Sequence, residues 1–237
     1  MKILVVDDHP VYLSGMIALL KQLKKGHIIE DASNGQIAYD LILGANFDLI
    51  FLDLDMPEMN GFELLKKINE APLVPKPKVI VMSVNEDEAS IAACYKLKAD
   101  GYIPKSTSRN ELIRLFDNLS NNDHYYPKKL FNKLLNNIYL GTQNKKLHEL
   151  KPSNKLSALE CQFLVLTAFE YPNKRIADRL GTTESTIKSM KYKLYKKIKC
   201  KNMVGATLYG LKNQFFTLRD LNDDSQIEFL LDKFKAI

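Results

Sequence analysis

Phe51-Leu52-Asp53-Leu54-Asp55-Met56-Pro57-Glu58-Met59-Asn60-Gly61 is the stretch that decides how this 237-residue chain is read. The apolar run Leu49 to Leu52 predicts a buried strand, and Pro57 with Asn60-Gly61 predicts a turn directly after it. Asp53 therefore stands at a strand's carboxyl end. In an open α/β sheet the loops converge on that edge and build the ligand site there.

Upstream, Lys2 to Val6 is another short β-branched run that stops at Asp7-Asp8, followed by Pro10 and a helical pattern through Val11, Met16, Leu19, Leu20 and Leu23. The alternation continues in both directions from Asp53. Strands are expected near His27 to Glu30, at Leu49 to Leu52, Val79 to Met82 and Gly101 to Ile103. Helices are expected at Gly35 to Leu43, Gly61 to Ile68, Asp87 to Leu97 and Ser108 to Leu119. Five such βα units imply a doubly wound, five-stranded parallel sheet with helices on both faces.

At the ends of those strands stand Asp7 and Asp8, then Asp53, Ser83 and Lys105. A parallel sheet brings them all to one edge. A single Asp after a strand is ordinarily a helix cap and a single Lys an ordinary surface charge, but the ordered set is not explained that way. Carboxylates crowded on one edge repel unless a cation lies among them. A hard divalent ion with oxygen ligands, Mg²⁺, meets that need; Lys105 offers a mobile charge for an anion and Ser83 a hydroxyl for the same anion.

Charge is divided unevenly along the chain. Residues 1–121 hold 13 Lys and Arg against 17 Asp and Glu, a net of −4, whereas the remaining residues hold 21 against 11, a net of +10. An acidic half followed by a basic one points to a regulatory or catalytic domain joined to a domain that meets polyanions. Cys94, Cys161 and Cys200 are odd in number and widely separated, which excludes a zinc or redox pairing and fits reduced packing residues of a cytoplasmic protein. No apolar run approaches a membrane span, so no membrane partner is expected.

The pieces Val5-Val6-Asp7-Asp8-His9-Pro10, Leu52-Asp53-Leu54-Asp55-Met56-Pro57 with Asn60-Gly61, Val81-Met82-Ser83 and Gly101-Tyr102-Ile103-Pro104-Lys105 resemble the receiver domain of two-component response regulators, a flavodoxin-like fold. The resemblance implies that Asp53 takes a phosphoryl group from a histidine kinase. It further implies Mg²⁺ held by Asp8, Asp53 and the backbone carbonyl of Asp55, with Asp7 acting largely through water, and Lys105 pairing with the phosphoryl oxygens. Ser83 and Tyr102 are the implied switch pair. Val84 departs from the small residue usual after the switch hydroxyl, and its bulk is expected to slow the entry of phosphodonors or water.

Residues 121 to 155 read as a linker with one amphipathic helix over Lys128 to Leu140. Beyond it, Ser157-Ala158-Leu159-Glu160 is a capping box opening a helix, Pro172-Asn173 breaks that helix, Gly181 stops a second, and Thr183 caps a third. Ile187, Met190, Leu194 and Ile198 form the third helix's apolar stripe, among seven lysines from Lys188 to Lys201. A tight Gly-containing turn before a basic helix is the frame of a helix-turn-helix.

Leu156-Ser157 with Glu160, Asn173 to Gly181, and Thr186-Ile187-Lys188 resemble the LuxR-type helix-turn-helix of the NarL/FixJ class, with Leu159, Glu170 and Met190 replacing the usual Arg, Gly and His. The resemblance implies double-stranded DNA as partner, contacts from Ser185, Lys188, Ser189, Lys191, Tyr192 and Lys196, and a homodimer paired through a helix at Asn202 to Asn213. One further amphipathic helix, Asp223 to Phe234, lies past the family pattern.

The organisation expected is a receiver at 1–121, a linker at 122–152, a small all-α DNA-binding domain at 153–214 and a helical extension at 215–237. The expected function is transcription regulation switched by Mg²⁺-dependent phosphorylation of Asp53, with no enzymatic action beyond the receiver's own phosphorylation and dephosphorylation. Two alternatives stand beside it. One is an atypical regulator that binds DNA regardless of phosphate. The other is a phosphatase of the haloacid-dehalogenase kind, since Asp53-Leu54-Asp55 imitates that signature, although Pro57 and the earlier Asp7-Asp8 do not suit it.

Overall fold

Short β-branched runs cut off by acids or turn residues become the five strands of the amino-terminal half, because such runs bury both faces in a parallel sheet. The computed structural model describes residues 1–23, 26–84, 86–120, 124–143 and 156–234. The chain divides into two units, Met1–Leu130 and Phe131–Ile237.

In the first unit, β1 (Lys2–Val6), β2 (Ile28–Ala32), β3 (Leu49–Asp53), β4 (Lys78–Ser83) and β5 (Gly101–Pro104) pair in parallel in the order β2-β1-β3-β4-β5. Helices α1 (Pro10–Leu23), α2 (Gly35–Gly44), α3 (Gly61–Glu70), α4 (Glu88–Lys96) and α5 (Arg109–Ser120) alternate with them. Every residue of β3 is buried. One face of the sheet packs Ile3, Val5, Phe51, Ile80 and Met82 against Leu13, Leu20, Leu112 and Leu115. Burying each such side chain is worth about 1.5–3 kcal/mol, so the sheet edge that carries the charges rests on a rigid base.

The loop after β3 is held by a close approach. Asn60 caps α3 by accepting the Glu63 backbone N–H at 3.0 Å, and Gly61 N–H donates to the Leu54 carbonyl at 3.0 Å. A Cβ at Gly61 would lie 2.1 Å from the Asp53 carbonyl oxygen, so only glycine lets the helix start this near the strand end.

Helix α6 (Lys128–Gln143) begins in the first unit, where Lys129 pairs with Glu86 at 2.8 Å, and continues in the second, where Asn132 donates to Asn222 at 2.7 Å. Leu130, Phe131, Leu134 and Leu135 along it are buried. The expected linker residues 121–123 and 144–155 lie outside the described residues.

The second unit then runs through α7 (Ala158–Ala168), α8 (Asn173–Arg179), α9 (Glu184–Lys197), α10 (Met203–Lys212), α11 (Leu218–Leu221) and α12 (Gln226–Lys233). Both halves of the Ser157–Glu160 capping box form, at 2.8 and 3.3 Å. Thr183 caps α9 by accepting the Thr186 N–H. Helix α7 ends in a Schellman motif, with Tyr171 N–H to the Leu166 carbonyl at 3.1 Å and Glu170 N–H to Thr167 at 3.0 Å. That geometry puts Glu170 at φ +58°, which accounts for the glycine usual there.

The carboxyl-terminal stretch expected as one helix over Asp223 to Phe234 forms the shorter α12, preceded by α11. Ile227, Leu230 and Leu231 of α12 are buried, and the helix packs on α7. Arg179 Nη1 meets Glu228 Oε1 at 2.6 Å, and the Phe215 ring stands between Tyr209 and Phe234, with centroids 6.1 and 5.5 Å away. The extension is thus part of the helical unit's own core. No helix among the described residues is long and apolar enough to cross a membrane.

Candidate functional site

The strand order reverses beside β1, and the acids gather at that switch point, where Val6 pairs with Leu52 one residue before Asp7 and Asp53. Asp7 and Asp53 are almost wholly buried, while Asp8 keeps 26 % of its side chain exposed. Lys105 Nζ lies 2.7 Å from Asp7 Oδ2 and 2.9 Å from Asp53 Oδ2. Its loop is tied down by a 2.9 Å bond from the Lys105 N–H to the Ser83 carbonyl. Burial pushes the Asp53 carboxyl above its ordinary range, the hydrogen bond from Lys105 works against that push, and the Asp7 charge adds to it. Burial also works against the Lys105 ammonium, but the two carboxylates outweigh it and raise its pKa.

Asp7, Asp8, His9 and Asp53 each place one ligand atom within 4.8 Å of the others. Asp53 Oδ1 is buried without a hydrogen-bond donor in good geometry. An anionic, oxygen-rich set around a buried carboxylate fits a hard divalent cation. Asp55, two residues beyond β3, is exposed.

Ser83 ends β4 fully buried and hydrogen-bonds with the Tyr102 phenol. Tyr102 is itself fully buried, and that burial pushes its pKa up to about 12. Its ring lies inward in this structure. Two further residues belong to the site that the sequence reading did not assign. His9 Nδ1 lies 2.8 Å from Asp8 Oδ1 and 3.2 Å from Asp7 Oδ1. The Tyr12 ring centroid is 4.9 Å from Lys105 Nζ and its hydroxyl reaches Met82 Sδ at 3.6 Å. Their signals were adjacency to the Asp pair for His9 and a place four residues past Asp8 on a helix's first turn for Tyr12. Val84, 75 % exposed, lines an apolar groove of about 570 Å³ with Tyr12, Met16 and Ile103 beside Lys105.

In the second unit, α9 shows Ser185, Lys188, Ser189, Tyr192 and Lys196 to solvent. Positions 185, 189, 192 and 196 are spaced four, three and four apart, which puts them on one helix face. Lys191, expected among them, lies on another row of the helix. It is only 9 % exposed and occupies the inward row with Ile187, Leu194 and Ile198. The reason is its spacing, four residues after Ile187 and three before Leu194. Its ammonium lies over the Tyr195 ring, 5.8 Å from the centroid. Met190, expected in the apolar stripe, is only half-buried. Lys197 pairs with Glu160 at 2.6 Å.

Residues 3–117 match the family model described as response regulator receiver domain, and residues 154–209 match that described as bacterial regulatory proteins, luxR family. The nitrate/nitrite response regulator protein NarL of Escherichia coli strain K12 is 32% identical over 214 residues, covering 90% of this chain and 96% of that protein. The oxygen regulatory protein NreC of Staphylococcus epidermidis is 29% identical over 216 residues, covering 90% and 98%. Among solved structures, RcsB from Salmonella enterica serovar Typhimurium, bound to promoter P1flhDC in the presence of phosphomimetic BeF3⁻, is 22% identical with a TM-score of 0.53, covering 90% of this chain and 98% of that one. This last likeness is one of fold.

Proposed function

The chain belongs to the DNA-binding transcriptional response regulators of two-component systems, with a receiver domain ahead of a luxR-type helix-turn-helix, and from that membership we propose that Asp53 is the phosphoacceptor that switches it. The observation that carries the proposal is the buried Asp53 at the sheet's switch point, with Lys105 Nζ at 2.9 Å. The donor is a partner histidine kinase. Phosphoryl transfer asks for an in-line oxygen nucleophile and for positive charge on the transferring oxygens. Asp53 is the nucleophile. Lys105 stays beside the phosphoryl oxygens once they arrive, and Ser83 and Tyr102, already hydrogen-bonded to each other, answer the added charge.

Asp8, Asp53 and the Asp55 backbone carbonyl would hold Mg²⁺, with Asp7 acting through water. That ion supplies charge neutralisation for the incoming phosphoryl group. In the second unit, Ser185, Lys188, Ser189, Tyr192 and Lys196 face the major groove or nearby phosphates, and α10 pairs two chains on paired half-sites. A solved structure of two RcsB dimers bound to two parallel DNAs supports the pairing. DNA and kinase partners imply a cytoplasmic protein whose chemistry is confined to its own aspartate.

Intact mass after incubation with Mg²⁺ and acetyl phosphate tests the assignment. Gain of one phosphoryl group by the wild type and none by Asp53→Asn is the expected result. Equal gain by both proteins would reject Asp53. If neither gains mass and Mg²⁺ also fails to bind, the phosphate-independent regulator replaces this reading.

A further inference from the structure

The apolar groove of about 570 Å³ beside Lys105 has a volume within the range of small-molecule pockets. Val11, Gly15 and Leu19 follow one another at intervals of four on α1, so one row of that helix supplies a wall; Val84, Ile103 and Lys105 help to complete the lining. Gly15 is an uncommon choice for a helix interior, where glycine is less stable than alanine. A Cβ added there would meet nothing within 4 Å, so no close approach of backbone or side chain requires it. Its effect is to leave the groove open along the middle of α1.

Resting on the reading of Asp53 as the phosphoacceptor, we propose that this groove receives the apolar acyl group of a small-molecule phosphodonor, so that the receiver reacts with longer-chain acyl phosphates in preference to acetyl phosphate. Asp53 is 1 % exposed, so a phosphorus in contact with it lies outward of it, and in-line transfer puts the leaving group farther out still, at the mouth of the site. Lys105, His9 and Val84 all line the groove, and Lys105 Nζ is 2.9 Å from Asp53 Oδ2. One ammonium at the end of an apolar groove matches an anionic head that carries an apolar tail. In the step, an Asp53 carboxylate oxygen bonds to phosphorus as the bond from phosphorus to the acyl oxygen breaks. The acid leaves as its carboxylate with the bonding pair. The bulk of Val84, 75 % exposed, then supplies hydrocarbon surface to the donor's chain.

The test compares acetyl phosphate with butyryl phosphate, whose leaving acids are of nearly equal strength, by the initial rate at which the full chain gains one phosphoryl group in Mg²⁺ buffer. Burial of a methylene is worth about fourfold, so the two added methylenes should make butyryl phosphate faster by about fifteenfold at sub-saturating donor. Gly15→Leu, whose side chain fills the groove, should bring butyryl phosphate down to the acetyl phosphate rate. Gly15→Ala, which leaves most of the groove open, should keep the preference. Equal rates for the two donors in the wild type, as a groove serving only a protein donor would give, overturn the proposal and leave Asp53 standing. A preference that survives Gly15→Leu does the same. Incorporation from neither donor, or incorporation that persists in Asp53→Asn, overturns the phosphoacceptor reading and the proposal with it.

Discussion

The strand-end cluster and helix α9 are both concentrations of charge, but the first folds Asp7 and Asp53 around one ammonium out of water and the second spreads lysines along solvent. In the cluster, residue type and order were enough, because a strand end fixes where the next side chain goes. On α9 the angle about the helix axis decides, and a lysine's charge says nothing about that angle. Lys191 and Lys196 are five residues apart and chemically identical, yet one is an inward packing residue and the other faces outward.

The largest effect expected from this contrast is at Lys105. Lys105→Met leaves two buried carboxylates facing each other, and the metal-free protein should lose about 3 kcal/mol in urea unfolding. Phosphoryl incorporation should fall by about 10². Part of the lost stability should return with added Mg²⁺. Unchanged stability in metal-free buffer would mean that the cluster is as forgiving as a solvated surface.

On α9, Lys196→Ala should lower the slope of log affinity for DNA against log salt by about one, whereas Lys191→Met should leave that slope unchanged. Equal loss of slope in both variants would break the distinction between the faces. A backbone control separates charge from conformation. Glu170→Gly should raise the stability of the helical unit by about 1 kcal/mol, and Gly181→Ala, also at a left-handed helix end, should lower it by about as much.

The smallest effect concerns Glu160, where the basic run meets an acid of its own chain. Partial burial pushes this carboxyl up, but Lys197 and the Ser157 N–H and hydroxyl hold it below its usual range. A lowered folded pKa contributes stability that is present above the unfolded value and is lost as pH falls through the folded one. Because the pair is largely solvated, Glu160→Gln should flatten the acid side of the stability curve by only a few tenths of a kcal/mol.

The alternation of the first half was legible because each strand is an apolar run ended by an acid or turn residue, and Asp7, Asp53, Ser83 and Lys105 lie where that alternation put them. His9 escaped because an exposed histidine beside acids carries no periodic signal, and Tyr12 because an aromatic in a helix's first turn reads as core. The burial of the Lys191 stem was not read from the charge run, although Ile187 four residues earlier and Leu194 three later mark its row as inward. For residues 215–237 the apolar period was visible, but its partner was not. Nothing in Ile227, Leu230 or Leu231 names α7, and the Arg179–Glu228 pair joins residues 49 apart.

That packing of α12 on α7 bears on how the chain is divided in the laboratory. A fragment ended at Asn213 strips Phe215, Ile227, Leu230, Leu231 and Phe234 from the helical unit and bares greasy surface on α7 and Tyr209. Such a fragment would aggregate or lose DNA binding for reasons unrelated to the recognition helix. The smallest self-sufficient piece carrying α9 must run through Phe234.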